Sequence, residues 1–141
     1  MEDAKFRERK RLESIVSDID RDVDSAIVEG AMDRKALRML GFEGRIFLSA
    51  ERSLEDLVED VSRGSQKVVI LTDFDSHGKE ENKELNRALQ GETDVINACR
   101  RQFGQQLTST GRRTIEDTLP LFSSIEDKFV EAALDGLYFK E

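Results

Sequence analysis

Two short apolar runs that end abruptly in acidic residues constrain the fold of this chain most strongly. The first run covers residues 26–28 and ends at Glu29, and the second covers residues 68–71 and ends at Asp73 and Asp75. Apolar, largely β-branched runs of this kind are typical of buried strands in parallel sheets. In open parallel sheets, ligands bind just beyond the carboxyl ends of the strands. The sequence therefore predicts a functional site at the ends of these two strands.

The three carboxylates predict a metal site, if the two strands are neighbours. Glu29, Asp73 and Asp75 would then meet at one edge of the sheet, where ionised carboxylates repel each other. A divalent cation would let them stay ionised together. An Asp-x-Asp by itself is unspecific, because dehalogenase-type phosphatases, many glycosyltransferases and simple turn caps also have one.

Apolar periodicity along the chain alternates between strand and helix, which predicts the α/β class. We expect a Rossmann-like parallel sheet of about four strands with helices on both faces and additional helices at both ends. The predicted strands are 25–28, 45–48, 67–72 and a short fourth strand within the ambiguous segment 112–119. The predicted helices are 3–23, 32–40, one that starts at Ser53, 80–89, one capped by Asp94, and a last one that Ser123 and Glu126 open with a capping box.

Length and composition narrow the class of protein. The 141 residues suit a single domain, 1–141, with a core that carries the motifs at about 25–89 and helical elaborations at 3–23 and 94–138. One cysteine and one histidine argue against a Cys/His metal site. The charged N-terminus and the absence of a long apolar stretch predict a cytoplasmic protein with no membrane segment.

The two acidic motifs together resemble the Toprim domain, which topoisomerases, bacterial-type primases and several nucleases share. The first motif is Val28-Glu29-Gly30-x-x-Asp33, and the second is Asp73-x-Asp75-x-x-Gly78. They stand in the order of that family, with one β-α unit between them, and the resemblance covers about residues 25–89. The length of the chain is similar to that of the small, stand-alone Toprim proteins described as primase-like.

The resemblance implies roles for the residues of both motifs. Glu29 matches the glutamate proposed to act as general acid or base, or to share a metal. Asp73 and Asp75 match the aspartates that coordinate Mg²⁺. The resemblance therefore implies Mg²⁺ as the cofactor, with Mn²⁺ as a substitute, and Mg²⁺ prefers oxygen ligands of this kind. The supporting positions are two glycines that let phosphate approach the backbone and one further acidic residue: Gly30, Gly78 and Asp33. Asp33 has a simpler alternative role, in which it favours the positive end of its helix.

Other residues are candidates for phosphate contacts. His77 lies within the acidic loop, where it either contacts phosphate or is a solvated surface residue. Two basic pairs either belong to the plain surface or guide a nucleic-acid backbone past the metal: Arg100 with Arg101, and Arg112 with Arg113. The net charge of −8 argues against a general nucleic-acid coat protein but leaves room for such local patches.

The sequence thus leads to one main functional expectation and to open alternatives. We expect a Mg²⁺-dependent protein that acts on phosphodiester bonds of DNA or RNA in a nuclease-like or primase-like reaction. The alternatives are a non-catalytic module that binds nucleic acid or a replication, repair or RNA-processing partner, and a small-molecule phosphotransfer enzyme. The amphipathic terminal helices also offer a surface for a homodimer or another protein.

Overall fold

A single parallel sheet forms the centre of the structure, a computed structural model that describes residues 2–50, 52–122 and 125–138. The strands are β1 (Ser25–Val28), β2 (Arg45–Leu48), β3 (Lys67–Ile70) and β4 (Asp94–Val95), in the spatial order β2-β1-β3-β4. The helices are α1 (Glu2–Asp22), α2 (Ala31–Met39), α3 (Leu54–Gly64), α4 (Ser76–Leu89), α5 (Asn97–Ser109) and α6 (Ile125–Tyr138), with a 3-10 helix at Glu116–Leu121. The predicted α/β class and parallel sheet are confirmed.

Helices cover both faces of the sheet because successive strand residues point to opposite sides. Ala26 and Val28 of β1 belong to one buried cluster, which includes residues from α1, α2 and α5. Ile27, between them, belongs to a second cluster with residues from α3 and α4. Both faces of the two central strands are therefore buried, which explains why their sequence is continuously apolar.

The pairing of β1 with β3 places the two acidic motifs at the same edge. The strands are parallel, with Ser25 opposite Val68 and Ile27 opposite Ile70. The backbone N–H of Leu71 also donates to the carbonyl of Ile27 at 2.8 Å, which continues the pairing beyond β3. Because the two strands run in the same direction, Glu29 and Asp73 lie side by side where the strands end.

The C-terminal third differs from the prediction. The fourth strand is Asp94–Val95, where a helix cap was expected, and α5 continues through the predicted polar loop to Ser109. The prediction of a strand within 112–119 was wrong: local hydrogen bonds shape this segment, and the carboxylate of Asp117 accepts from the backbone of Arg113 and Thr114. The predicted capping box of Ser123 and Glu126 lies outside the described side chains. In the described ranges, no helix has both the length and the apolarity to cross a membrane.

An ion pair between Glu8 and Arg112 ties α1 to the segment after α5. Arg112 Nε donates to Glu8 Oε2 at 2.6 Å and Nη2 donates to Oε1 at 3.2 Å, while the Thr110 hydroxyl donates to the same carboxylate at 2.6 Å. The Glu8 side chain is only 11% exposed. The hydrogen bond from Arg112 lowers the pKa of Glu8 below its ordinary value, against the opposing effect of burial.

We predict that Glu8→Gln lowers the free energy of unfolding by about 1–2 kcal/mol at neutral pH, because Arg112 would lose its charged partner. A carboxyl group with a lowered pKa in the folded state stabilises the protein above its unfolded-state pKa, and this contribution disappears as the pH falls through the lowered value. The difference between variant and wild type in urea unfolding should therefore shrink on acidification below about pH 4. Glu43→Gln, at an exposed position, is the control, and an equal loss in both variants would refute the assignment.

Candidate metal centre

Three carboxyl groups meet at the carboxyl ends of β1 and β3. Glu29 follows β1, Asp73 follows β3, and Glu81 projects from the second turn of α4. The Glu29 carboxyl lies within hydrogen-bond reach of both other groups. Burial, together with its contacts with Glu81 and Asp73, raises the pKa of Glu29 to about 9. Without a cation, this centre therefore favours holding a proton on Glu29.

His77 and Glu81 add ligand atoms that the sequence motifs did not assign to a metal. One donor atom each from Glu29, His77 and Glu81 lie within 4.8 Å of one another. The Oε1 atoms of Glu29 and Glu81 are buried and have no hydrogen-bond donor among the described residues. Buried carboxylate oxygens ordinarily have a partner, so these two atoms are available to a cation.

Asp73 and Asp75 have different environments, although the motif presents them as a pair. Asp73 is partly buried beside Glu29, and burial followed by the charge of Asp75 raises its pKa. Asp75 is exposed, and its Oδ1 accepts a hydrogen bond of 2.8 Å from the backbone N–H of Gly78 as the N-cap of α4. The structure thus brings Asp73 into contact with Glu29 and uses Asp75 to begin the helix. The role of both as metal ligands remains a prediction.

Asp33 connects the first motif to the 3-10 helix. Its carboxylate accepts hydrogen bonds from the backbone N–H of Gly30 at 3.2 Å and of Glu116 at 3.0 Å. Burial is the main reason that its pKa is raised to about 6, and the charge of Asp73 adds to the effect. Asp33 lies in the first turn of α2, so it both supports the start of that helix and adds negative charge near the centre.

The two motif glycines differ in how much space surrounds them. A Cβ on Gly78 would lie 1.8 Å from the carbonyl oxygen of Asp73, so the first turn of α4 packs directly on the acidic loop. A Cβ on Gly30 would meet nothing within 4 Å. Gly78 is therefore needed for the close approach of two backbone segments, whereas the space beside Gly30 is open.

The Arg100 guanidinium binds the backbone at the end of β3. The residue is 8% exposed, and its Nη1 donates to the carbonyls of Ile70 at 3.1 Å and Thr72 at 2.9 Å, while Nη2 donates to the carbonyl of Asp73 at 3.1 Å. Burial lowers its pKa to about 10, and the charges of Asp73, Glu81 and Glu29 partly oppose that effect. Arg100 is therefore a buried support of the acidic loop, not an exposed surface residue.

Phe74 fixes the loop between the two aspartates. The guanidinium carbon of Arg100 lies 4.2 Å from the centre of the Phe74 ring, and the ring also packs on α5, where a Cβ on Gly104 would lie only 2.6 Å from it. The Phe74 backbone N–H donates to the carbonyl of Arg113 at 2.7 Å. The loop is thus fixed through both its backbone and its one aromatic side chain.

The remaining basic candidates separate into two kinds. The guanidinium of Arg112 is bound to Glu8 and donates to the Asp117 carbonyl at 2.5 Å, so it has a structural role. Arg101 and Arg113 are exposed and line a cavity of about 800 Å³ together with Lys79 of α4. The sequence did not single out Lys79 or this cavity.

Proteins of related sequence identify the family. A UPF0292 protein of Pyrococcus furiosus is 37% identical to this chain over 103 residues, which are 73% of this chain and 77% of that protein. The chain belongs to the UPF0292 family. A UPF0292 protein of Thermococcus onnurineus is 28% identical over 116 residues, which are 82% of this chain and 86% of that protein. No family model matches the chain.

A solved structure shares the fold of this UPF0292 protein. It is that of a protein from Aquifex aeolicus, with a TM-score of 0.57 and 21% sequence identity, and the similarity covers 79% of this chain and 94% of that chain. At this level of identity the likeness concerns the fold alone.

Sequence reasoning missed Glu81 as a member of the centre. The available signal was its spacing: His77 and Glu81 are four residues apart and share one face of α4. That signal requires α4 to begin at Ser76, directly after the acidic loop. The sequence prediction began the helix at residue 80 and left His77 in a loop, so the shared face was not visible.

We predict that Gly78→Ala lowers the free energy of unfolding of this UPF0292 protein by about 2–4 kcal/mol, because the new methyl group would overlap the Asp73 backbone. Gly30→Ala is the matched control, since its methyl group would enter open space, and its effect should stay within about 1 kcal/mol. Urea unfolding of both variants measures the difference. Equal stability of the two variants would contradict the close packing of α4 on the loop.

We predict that Glu29→Gln stabilises the metal-free protein at alkaline pH. A carboxyl group with a raised pKa in the folded state lowers stability progressively as the pH rises from its ordinary value of 4.5 to the raised value of about 9. A glutamine amide removes that charge and can donate to Asp73 and Glu81. Near pH 8 in EDTA, the variant should melt about 3 °C or more above wild type, and the difference should vanish near pH 4.

Mn²⁺ should reverse this order of stability, because a bound cation stabilises the ionised wild-type site. Glu92→Gln, at an exposed position outside the centre, should show neither effect. If Glu29→Gln has the same melting temperature as wild type at every pH, the three carboxyl groups do not interact as described.

Proposed function

We propose that this UPF0292 protein is a Mg²⁺-dependent Toprim protein that acts on phosphodiester bonds of nucleic acid, in a nuclease-like or primase-like phosphoryl transfer. The observation that supports this most directly is the meeting of Glu29, Asp73 and Glu81 at the ends of adjacent parallel strands. The order and spacing of the motifs around Glu29 and Asp73 agree with the resemblance to Toprim domains. We place the reaction in the reducing cytoplasm, in keeping with the free, buried thiol of Cys99.

The donor set suits a small divalent cation. Glu29, Asp73 and Glu81 would hold it through oxygen, with Asp75 and His77 at the margin of the site, and Mg²⁺ needs few protein oxygens because it keeps several waters. Oε1 of Glu29 and Oε1 of Glu81, which are buried and have no donor among the residues that the structure describes, fit this role. Bound there, the cation would polarise a phosphoryl oxygen and offset charge on the leaving oxygen.

Glu29 is the residue that we assign to proton transfer. With its pKa raised to about 9 by burial and by two carboxyl neighbours, it can carry a proton at neutral pH in the metal-free protein. Cation binding would favour its ionised form, since the ligand groups must be deprotonated. Where Glu29 does not itself coordinate the cation, its carboxylate would accept a proton from an attacking hydroxyl group or water.

The surrounding elements hold the acidic residues in place and leave room for a phosphate. Arg100 and Gly78 fix the backbone that carries Asp73. The N-terminus of α4 lies beside the centre, and its partial positive charge favours a phosphate there. Open space beside Gly30 leaves room for a phosphodiester to approach β1.

A non-catalytic module that binds nucleic acid or a replication, repair or RNA-processing partner is the second candidate. The net charge of −8 favours the protein-partner form of this alternative, because it repels the phosphates of nucleic acid in general. Under this alternative the acidic centre would bind a cation for structure only.

Calorimetric titration of Mn²⁺ and Mg²⁺ tests the metal site. We expect Asp73→Asn and Glu29→Gln each to weaken binding by about tenfold or more, because each removes an ionised oxygen ligand. Asp94→Asn, at the exposed position that starts β4, should bind as wild type does. Equal binding by all four proteins would remove the metal site from the proposal.

Gel assays with metal on single-stranded DNA, duplex DNA and structured RNA separate the two candidates. Cleavage or nucleotide addition that is lost in Glu29→Gln would support the enzyme. If wild type binds nucleic acid but turns over none of these substrates, the result would support the module and reject catalysis.

A further inference from the structure

A basic cavity lies next to the acidic centre, between α4, α5 and the segment that precedes the 3-10 helix. Its volume is about 800 Å³, and Lys79, Arg100, Arg101 and Arg113 contribute positive charge to its lining. Asn82 of α4 and Asn97 of α5 also line it. None of the described residues that line it is acidic.

No direct ion pair between described residues neutralises the positive charge of this cavity. Within the described part of the chain, Lys79, Arg100, Arg101 and Arg113 have no carboxylate within 4.0 Å. Within the described ranges, the buried guanidinium of Arg100 donates to carbonyl and hydroxyl oxygens and to no carboxylate. In a chain with 30 acidic residues, the three exposed cations that line this cavity and have no ion pair among the described residues favour an anionic ligand, which would compensate their charge: Lys79, Arg101 and Arg113.

Helix α4 separates the cavity from the acidic centre. His77 and Glu81 face the carboxylates, whereas Lys79 and Asn82 face the cavity. In helical projection the two pairs lie on opposite sides of the helix, because each residue advances by about 100°. The N-terminus of α4, which begins at Ser76, therefore lies between a site suited to a cation and a site suited to an anion.

We propose that this α4–α5 cavity binds the sugar-phosphate backbone of a single-stranded nucleic acid, so that the adjoining phosphodiester crosses the start of α4 towards Glu29 and Asp73. The inference deepens the proposed function and rests on it for the direction of the strand. Arg101, Arg113 and Lys79 contact phosphates, Arg100 supplies charge from the floor, and the two asparagine amides hydrogen-bond to sugar or base.

Size and charge favour a single strand over a duplex. A cavity of about 800 Å³ is of the size that holds a small ligand or about one to two nucleotides. Duplex binding relies on many phosphate contacts over a broad face, which the net charge of −8 opposes. A compact basic groove is the device that single-strand binding proteins use.

Fluorescence anisotropy in EDTA tests the cavity without the metal centre. The probe is a labelled oligothymidylate of about 12 nucleotides, with oligouridylate and a duplex of equal length as competitors. We expect Arg101→Glu/Arg113→Glu to weaken binding by about tenfold or more and to lower the salt dependence, since two phosphate contacts are lost. Arg21→Glu/Arg63→Glu, which changes the net charge equally at exposed positions away from the cavity, should bind within about twofold of wild type.

The binding assay tests the inference independently of catalysis. A loss of affinity confined to Arg101→Glu/Arg113→Glu supports the inference, even if metal binding and turnover fail. Three results would overturn the inference: an equal loss of affinity in both double variants, competition by the duplex as strong as by the single strand, or no measurable binding by wild type. Glu29-dependent turnover could still stand in each case. The ratio of competition by oligothymidylate and oligouridylate then assigns the strand to DNA or RNA. Thermal melting verifies that both variants are folded.

Discussion

The parallel pairing of β1 with β3 is the interaction on which the rest of the structure depends. It buries the apolar runs of both strands on both faces of the sheet, and it also delivers Glu29 and Asp73 to one point in space. A shift of one residue would turn each strand over and exchange its two sets of buried side chains. The same register therefore determines both the core and the arrangement of the carboxyl groups.

Concentrating carboxyl groups at one edge of the sheet lowers stability. The neighbouring structure offsets this cost, although Arg100 forms no direct ion pair with these carboxyl groups. Arg100 binds carbonyl oxygens of the loop instead of the side chain of Asp73, so its charge lies close to the acids but does not occupy their oxygens. Asp33 is satisfied by backbone N–H groups. The neighbouring structure thus supports the centre, while Oε1 of Glu29 and of Glu81 has no hydrogen-bond donor in the described part of the chain.

The sequence allowed prediction of the fold where a local pattern was strong and failed where the determinant was distant. β1 and β2 matched residue for residue because short apolar strands stood between clear breaks. β4 has only two residues, Asp94 and Val95, and carries no periodic signal. Glu81 could not be told from its acidic neighbours on α4 until the helix start was known. The partner of Arg112 lies 104 residues away at Glu8, a separation that no local pattern reveals.

The packing of Phe74 bears on how quickly and how tightly the proposed cation would bind. Its ring is enclosed by Arg100 and by the glycine surface of α5, so the loop between the aspartates loses its conformational freedom when the protein folds, not when a ligand arrives. Under the proposed function, an incoming cation would then meet a preorganised set of oxygens, and its binding would cost little conformational entropy. Its rate of entry would be governed by the shedding of its own water shell.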